Sequence, residues 1–287
     1  MKKISLLIVL ALFLGACLDE DFEVDNLSND DIFVIGHGGA GFRSPTNNIA
    51  ENSMKSLELA IEGYNADGVE VDVQMTKDSQ LVLYHDDHLF TKTSCEIGGI
   101  WNYNWAEIKN CRYKKQYFGG MFVDEELALL DEVLAKFSQR QIIPQIHLDV
   151  RYNNFNPDIL TRKKYYDIFT RKLNELYAKY NAEDWMYCGA LDLNFLKQMN
   201  EKNDSVKLFL EGGNVVEMLS KKQEQEFFGI VIANADISKG EVQLAHDSGV
   251  RIAIFNLKAL PANIDAVEKS PDYIITDNVT LLQDILR

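Results

Sequence analysis

From Trp185 to its C-terminal end the chain repeats one unit, an apolar run of strand length followed by a stretch of helical length. The strand-like runs are Trp185–Ala190, Val206–Leu210, Gly229–Ala233, Arg251–Asn256 and Tyr273–Thr276. Between them the spacing predicts helices over Asn194–Asn200, Val215–Glu226, Lys239–Ser248 and Ile264–Lys269, with a last helix over Thr280–Leu286. Apolar strands alternating with helices imply a parallel sheet covered on its outer face.

The N-terminal half joins the same rhythm less regularly. Ile32–His37 is an apolar strand, and the glycines that follow it, Gly38, Gly39 and Gly41, let the backbone turn closely around a ligand. Helical spacing runs over Glu51–Tyr64, where Met54, Leu57, Ala60 and Ile61 share a face. Gly68–Asp86 reads as a hairpin: Val69, Val71 and Val73 alternate with Glu70, Asp72 and Gln74, so both carboxylates share a face. The Thr76–Ser79 connection is too short for a parallel crossover, so the two strands pair antiparallel and bring His85 opposite Val71 or Asp72. Residues 88–128 show no clear period and read as an insertion over one end of the domain. Leu129–Gln139 is a short helix, Ile142–Arg151 a strand with His147, Asp149 and Arg151 on one face, and Pro157–Tyr180 a long helix. With one strand assigned to the hairpin, eight remain to close a (β/α)8 TIM barrel over residues 31–287. An open doubly wound sheet is the alternative.

The chain of 287 residues carries a formal charge of −15. No basic cluster is present to neutralise phosphates, which excludes a nucleic-acid partner. Lys2 and Lys3 precede an apolar run over Ile4–Leu14 that is too short for a stable membrane anchor, and Leu14-Gly15-Ala16-Cys17 follows. This pattern resembles a bacterial lipoprotein signal, with residues 1–16 removed and Cys17 acylated, which predicts a lipid-anchored protein of the cell envelope outside the cytoplasm. A plain secretory signal is the alternative. Residues 17–30 read as an acidic, flexible tether. Of the remaining cysteines, Cys95 and Cys111 enclose fifteen residues and could form a bridge in that oxidising compartment, while Cys188 sits in an apolar strand.

Reactive groups of such barrels gather at the carboxyl ends of the strands. Strands carrying Glu70 and Asp72, Asp149, His85 and His37 would converge there. At this point the residues resemble the glycerophosphodiester phosphodiesterase family across Ile32–Leu286. The motifs are His37-Gly38, Glu51-Asn52-Ser53, Glu70-Val71-Asp72, Thr76-Lys77-Asp78-Ser79, His85-Asp86, Asp149-Val150-Arg151 and Ile275-Thr276-Asp277. The resemblance implies a TIM barrel and a metal-dependent phosphodiesterase. Such an enzyme would cleave glycerophosphodiesters to an alcohol and glycerol 3-phosphate. Glu70, Asp72 and Asp149 would hold one divalent cation, Mg²⁺ or Ca²⁺, and His37 and His85 would be the acid/base pair. Arg151 would contact a phosphate oxygen, Glu51 would support the site or bind a substrate hydroxyl, and the inserted segment would cap the mouth.

Three positions depart from the family pattern. Gly38 stands where the family has Arg, and Arg43 in the next loop could substitute. Asp149 replaces Glu, one methylene longer, and His147 on the same face could join the coordination or reorient it. Phe255 replaces a Trp near the seventh strand. Two other readings use the same barrel: a non-catalytic ligand-binding lipoprotein, and a phospholipase-like lyase that forms a cyclic phosphate.

Overall fold

The computed structural model describes residues 22–42, 48–114, 122–152 and 159–287. Among the described residues there are twelve strands: β1 (Phe33–Gly36), β2 (Gly68–Met75), β3 (Leu81–Leu83), β4 (Arg112–Lys114), β5 (Phe122–Glu126), β6 (Ala128–Leu129), β7 (Gln145–Val150), β8 (Met186–Ala190), β9 (Leu208–Glu211), β10 (Gly229–Ala233), β11 (Arg251–Leu257) and β12 (Tyr273–Thr276). Eight of these run parallel in the order β1-β12-β11-β10-β9-β8-β7-β2, and β1 pairs again with β2, so the sheet closes on itself. The structure is a (β/α)8 barrel, and the open-sheet alternative is excluded.

Every residue of β2 is buried, because both faces of the strand are covered. Val69, Val71 and Val73 point outward into the main core between sheet and helices, with Leu57, Ile146, Leu148 and Phe169. Glu70, Asp72 and Gln74 point into the barrel. This inverts the usual arrangement of a half-exposed strand, and it is what gives the interior its chemistry. Lower in the barrel the rings of His147, Tyr187, Phe209 and Tyr273 fill the lumen.

β2 turns into β3 in antiparallel register, Val73 opposite Leu83 and Met75 opposite Leu81. The turn is closed by Ser79 N–H donating to Thr76 C=O at 2.9 Å, with Ser79 at φ +61°. Tyr84 N–H then donates to Asp72 C=O at 3.0 Å, which carries the chain to His85 at the mouth.

The inserted segment has a small core of its own. Leu89, Ile100, Ile108, Cys111 and Tyr113 pack with Val82, Tyr84 and Ala50 of the barrel rim. It contains the two-stranded sheet β4–β5, and β6 joins the edge of β3. Cys95 and Cys111 form a disulfide with Cα atoms 5.4 Å apart. The sequence reading contains none of β4, β5 and β6. Cys188 is buried, and burial pushes its thiol up to about 12.

Residues 22–30, expected as part of a flexible tether, are placed differently. They lie across the base of the barrel, at the amino ends of β11 and β12. The Asn26 amide donates to Pro271 C=O at 2.9 Å, the Ser28 hydroxyl to Asp272 at 2.8 Å, and Arg251 to Leu27 C=O at 2.9 Å. Phe22 packs against the main core. Residues 1–16 and Cys17 lie outside the described residues. Among the described residues no helix is long and apolar enough to cross a membrane.

Candidate active site

At the carboxyl ends of the strands, β2 and β7 lie in parallel register with Asp72 opposite Asp149. Side chains two apart on one strand share a face, so Glu70 joins them. Ligand oxygens of Glu70, Asp72 and Asp149 lie within 4.8 Å of one another. Arg151, just past the end of β7, points its Nε between two of them, 2.8 Å from Asp72 Oδ1 and 2.8 Å from Asp149 Oδ2. Asn52 clamps Asp72 from the other side. Its amide donates to Asp72 Oδ2 at 2.7 Å, and its oxygen accepts from Asp72 N–H at 2.9 Å. Asn52 can reach because it precedes the helix starting at Met54, in a turn at φ +63°.

The three carboxyls respond differently to one environment. Burial pushes Glu70 well above the usual carboxylate range, and the charges of Asp72 and Asp149 push it further. Asp149 is raised for the same reason, with Glu211 as its strongest neighbour. Asp72 is also buried, but Arg151, His85 and the Asn52 amide together outweigh that and hold it low. Crowded hard-oxygen donors that repel one another fit a divalent cation of the Mg²⁺ or Ca²⁺ type.

Two imidazoles stand at the mouth. Asp277 accepts a hydrogen bond from His37 Nδ1 at 2.8 Å, and Asp86 accepts one from His85 Nδ1 at 2.7 Å. A carboxylate has no proton to give, so each ring carries hydrogen on Nδ1 and leaves Nε2 available. His37 Nε2 lies 3.9 Å from Glu70 Oε2. The Phe42 ring sits between the two, with centroids 4.3 Å from His37 and 5.1 Å from His85. Asp277 Oδ1 also accepts from Phe42 N–H at 3.2 Å, so one carboxylate sets both the ring and its neighbour.

The remaining expected residues fall as follows. Glu51 is 2% exposed and accepts from Lys92 Nζ at 2.6 Å. The same ammonium lies 3.1 Å from Asp86, so the inserted segment reaches back to the partner of His85. Position 38 has φ +58°, and a Cβ there would stand 2.9 Å from Glu51 Cβ and 3.2 Å from the Phe42 ring, which leaves no room for a side chain. Arg43 lies outside the described residues. His147 is not among the three clustered carboxylates. Its ring stacks on Tyr187 at 4.5 Å, and its Nε2 hydrogen-bonds Gln145 Oε1 at 3.0 Å, one step further down the barrel. Burial pushes it down to about 3, so it is a neutral part of the aromatic filling. Sequence reasoning assigned no role to Asn52, Phe42, Asp86, Lys92, Asp277 or Glu211. Asp86 and Asp277 stand within the quoted motifs. Glu211 could have been found as a lone carboxylate at the end of the apolar run LFLE, just before Gly212-Gly213.

At the carboxylate cluster a cavity of about 50 Å³ is lined by residues that include His37, Glu70, Asp149, Arg151, Glu211 and Phe255. Phe255, at the position of the family Trp, is part of its wall.

A family profile described as the glycerophosphoryl diester phosphodiesterase family matches residues 37–281. Among relatives, the glycerophosphodiester phosphodiesterase of Caldanaerobacter subterraneus subsp. tengcongensis is 29% identical over 154 residues, 53% of this chain and 60% of that protein. A human lysophospholipase D is 25% identical over 186 residues, 61% of this chain and 50% of that one. The first three relatives are spanned over 62%, 42% and 60% of their own length. Among solved structures, a glycerophosphodiester phosphodiesterase from Parabacteroides distasonis superposes with a TM-score of 0.71 at 19% identity, covering 89% of this chain and 96% of the other. An Oleispira antarctica phosphodiesterase in complex with the product sn-glycerol-3-phosphate also superposes with a TM-score of 0.71, at 17% identity, covering 88% and 96%. Those two likenesses concern the fold. The profile match spans most of the chain, and the chain belongs to the glycerophosphoryl diester phosphodiesterase family.

Proposed function

We propose that this protein hydrolyses glycerophosphodiesters to an alcohol and sn-glycerol 3-phosphate, and that it does so at the mouth built by β1, β2, β3 and β7. One observation carries the reading: two imidazoles, each held through Nδ1 by its own aspartate, flank a cluster of three carboxylates. The relatives named above as glycerophosphodiester phosphodiesterases, and the product named for the Oleispira enzyme, support the choice of substrate.

In this mechanism Glu70, Asp72 and Asp149 would hold the divalent cation, which when bound supplies Lewis-acid polarisation of a phosphoryl oxygen. The side chains do the rest. Arg151 directs positive charge toward the phosphate while keeping Asp72 ionised. One of His37 and His85 takes a proton from the attacking oxygen through Nε2, and the other gives one to the departing alkoxide. Asp277 and Asp86 keep the Nδ1 proton in place throughout, so neither ring can turn its wrong nitrogen to the substrate. Glu51 and Lys92 brace the His85 side of the mouth. Acylation of Cys17 and residence in the cell envelope belong to the same proposal.

The test is release of glycerol 3-phosphate from glycerophosphocholine, followed by ³¹P NMR. Activity that EDTA abolishes and added Mg²⁺ or Ca²⁺ restores, with a linear phosphomonoester as product, is expected. His37→Ala and His85→Ala should each lower kcat by about 10²–10⁴-fold. Unchanged turnover in either variant would remove the acid/base assignment, and a cyclic phosphate as the end product would replace hydrolysis by the lyase reading.

A further inference from the structure

Gln74 is the inward residue of β2 that follows Glu70 and Asp72, and the mechanism above leaves it unused. It is 2% exposed and stands opposite Val82 of β3. Its side-chain amide donates to Tyr84 C=O at 2.8 Å and to Asp86 C=O at 2.9 Å. Both N–H groups are thereby spent on the two residues that flank His85. The orientation of the amide follows from chemistry, since two carbonyl oxygens can be met only by its NH₂ end. Gln74 Oε1 is left on the other side, buried and without a hydrogen-bond partner among the described residues. A buried acceptor left unmet is costly, so a side chain that only filled space would not carry one. What glutamine supplies at this position is the pair of donors.

The two imidazoles of the mouth are held by different means. His37 and Asp277 follow directly on β1 and β12, and the sheet fixes both. His37 N–H donates to Thr276 C=O at 3.0 Å, and Asp277 N–H to Leu257 C=O at 3.1 Å. His85 and Asp86 lie beyond β3, which ends at Leu83, in the link to the helix Leu89–Lys92. Past the bond from Tyr84 N–H to Asp72 C=O, β2 grips this link through the Gln74 amide. That grip bears directly on the ring. His85 Nδ1 pairs with Asp86 Oδ1 at 2.7 Å, a bond between sequence neighbours. Its geometry is set by the few backbone torsions of residues 85 and 86, and the carbonyls at the two ends of that stretch are the ones Gln74 holds.

We propose that Gln74 is a positioning residue for the reaction. By holding the carbonyls on both sides of His85, it aims Nε2 of that ring at the reacting centre and keeps Asp86 on Nδ1. The assignment rests on the hydrolase reading above and adds to it a residue that acts through His85.

Steady-state turnover of glycerophosphocholine with Mg²⁺ tests it in the unaltered protein, Gln74→Met, His85→Ala and the double variant. Gln74→Met keeps the length of the side chain and loses both donors. It should lower kcat by about 10²-fold, the scale for misplacing a reacting group by about 1 Å, with KM within about threefold. In the His85→Ala background the same substitution should cost less than about twofold, because no ring is left to aim. Low-field proton NMR adds a measurement that needs no turnover. The Nδ1–H signals of His85 and His37 are assigned by their loss in His85→Ala and His37→Ala. Gln74→Met should shift or abolish the first and leave the second in place. An unaltered kcat, a loss carried by KM, an equal loss in the His85→Ala background or an unchanged His85 signal overturns the assignment. If Gln74→Met does not fold, Gln74→Asn, with an amide one methylene short, is read by the same cycle and the same signals. Failure of both to fold makes the residue a requirement of the fold and also overturns the assignment. Absence of turnover in the unaltered protein strikes the hydrolase reading instead, and the Nδ1–H signals still report whether Gln74 holds the ring.

Discussion

Asp277 and Asp86 are small residues with a large effect, because each decides which nitrogen of an imidazole meets the substrate. Asp277→Asn keeps the shape but lets the amide present either a donor or an acceptor to His37, so the ring loses its enforced tautomer. We expect kcat to fall by about 10²-fold or more in Asp277→Asn, with KM changed much less, measured by steady-state release of glycerol 3-phosphate. Lys92 gives a stability prediction at the same scale. Its ammonium forms an ion pair with Glu51, which is 2% exposed. Lys92→Met should cost about 3–5 kcal/mol in urea unfolding, the range for breaking a buried pair on one side only, and Lys92→Arg should recover most of it. His37, Glu70, Asp72, His85 and Asp149 were legible as candidates because two-residue alternation and strand ends are visible in a sequence. Lys92 was not. It acts from a segment without periodicity, and nothing local announces that its side chain will reach Glu51, 41 positions earlier.

At the scale of elements, the β2–β3 hairpin was readable in detail, down to antiparallel pairing and the approach of His85. Its turn holds one local conflict. Ser79 sits at φ +61°, a conformation that glycine adopts without cost. Ser79→Gly should raise stability by about 0.5–1 kcal/mol, read as a shift in the urea midpoint with an unchanged slope. The inserted segment shows the opposite case. Its order comes from a miniature core and a crosslink, neither of which leaves a helical or strand period in the sequence. Replacing both Cys95 and Cys111 by Ser should cost about 3 kcal/mol in the chain-entropy description, with loss of melting temperature largest in the cap. Helix ends also moved for physical reasons. The helix expected over Glu51–Tyr64 starts only after the Ser53 cap, which leaves Glu51 and Asn52 in the turn that faces the active site.

For the whole molecule, the strand and helix rhythm was enough to specify a parallel sheet covered by helices and to count eight strands, while closure into a barrel, against the open doubly wound alternative, rests on the pairing of β1 with β2. The interior charge it would carry was only partly legible, because the sequence does not show that Glu70 and Asp149 will be crowded into mutual repulsion. That repulsion predicts coupling between cation binding and folding. Mg²⁺ or Ca²⁺ at a hundred times its Kd should stabilise the protein by about 2.7 kcal/mol in thermal unfolding, and Glu70→Gln or Asp149→Asn should remove most of that gain. The acidic leader read as unstructured because its residues are polar. Their polarity is spent instead on carbonyls and Asp272 at the underside of the barrel.

That docking limits how the protein can stand on a surface. From Cys17 to Glu23, where the Ser270 hydroxyl donates to the Glu23 carbonyl, there are six residues, which span at most about 20 Å fully extended. The helix Ile159–Tyr180, with 22 residues, is about 33 Å long, a fair measure of the distance from underside to opening. In the acylated form proposed above, such a short leash holds the underside next to the lipid and turns the opening toward open water. Dissolved diesters can then diffuse in freely, while the head groups of the protein's own bilayer stay out of reach.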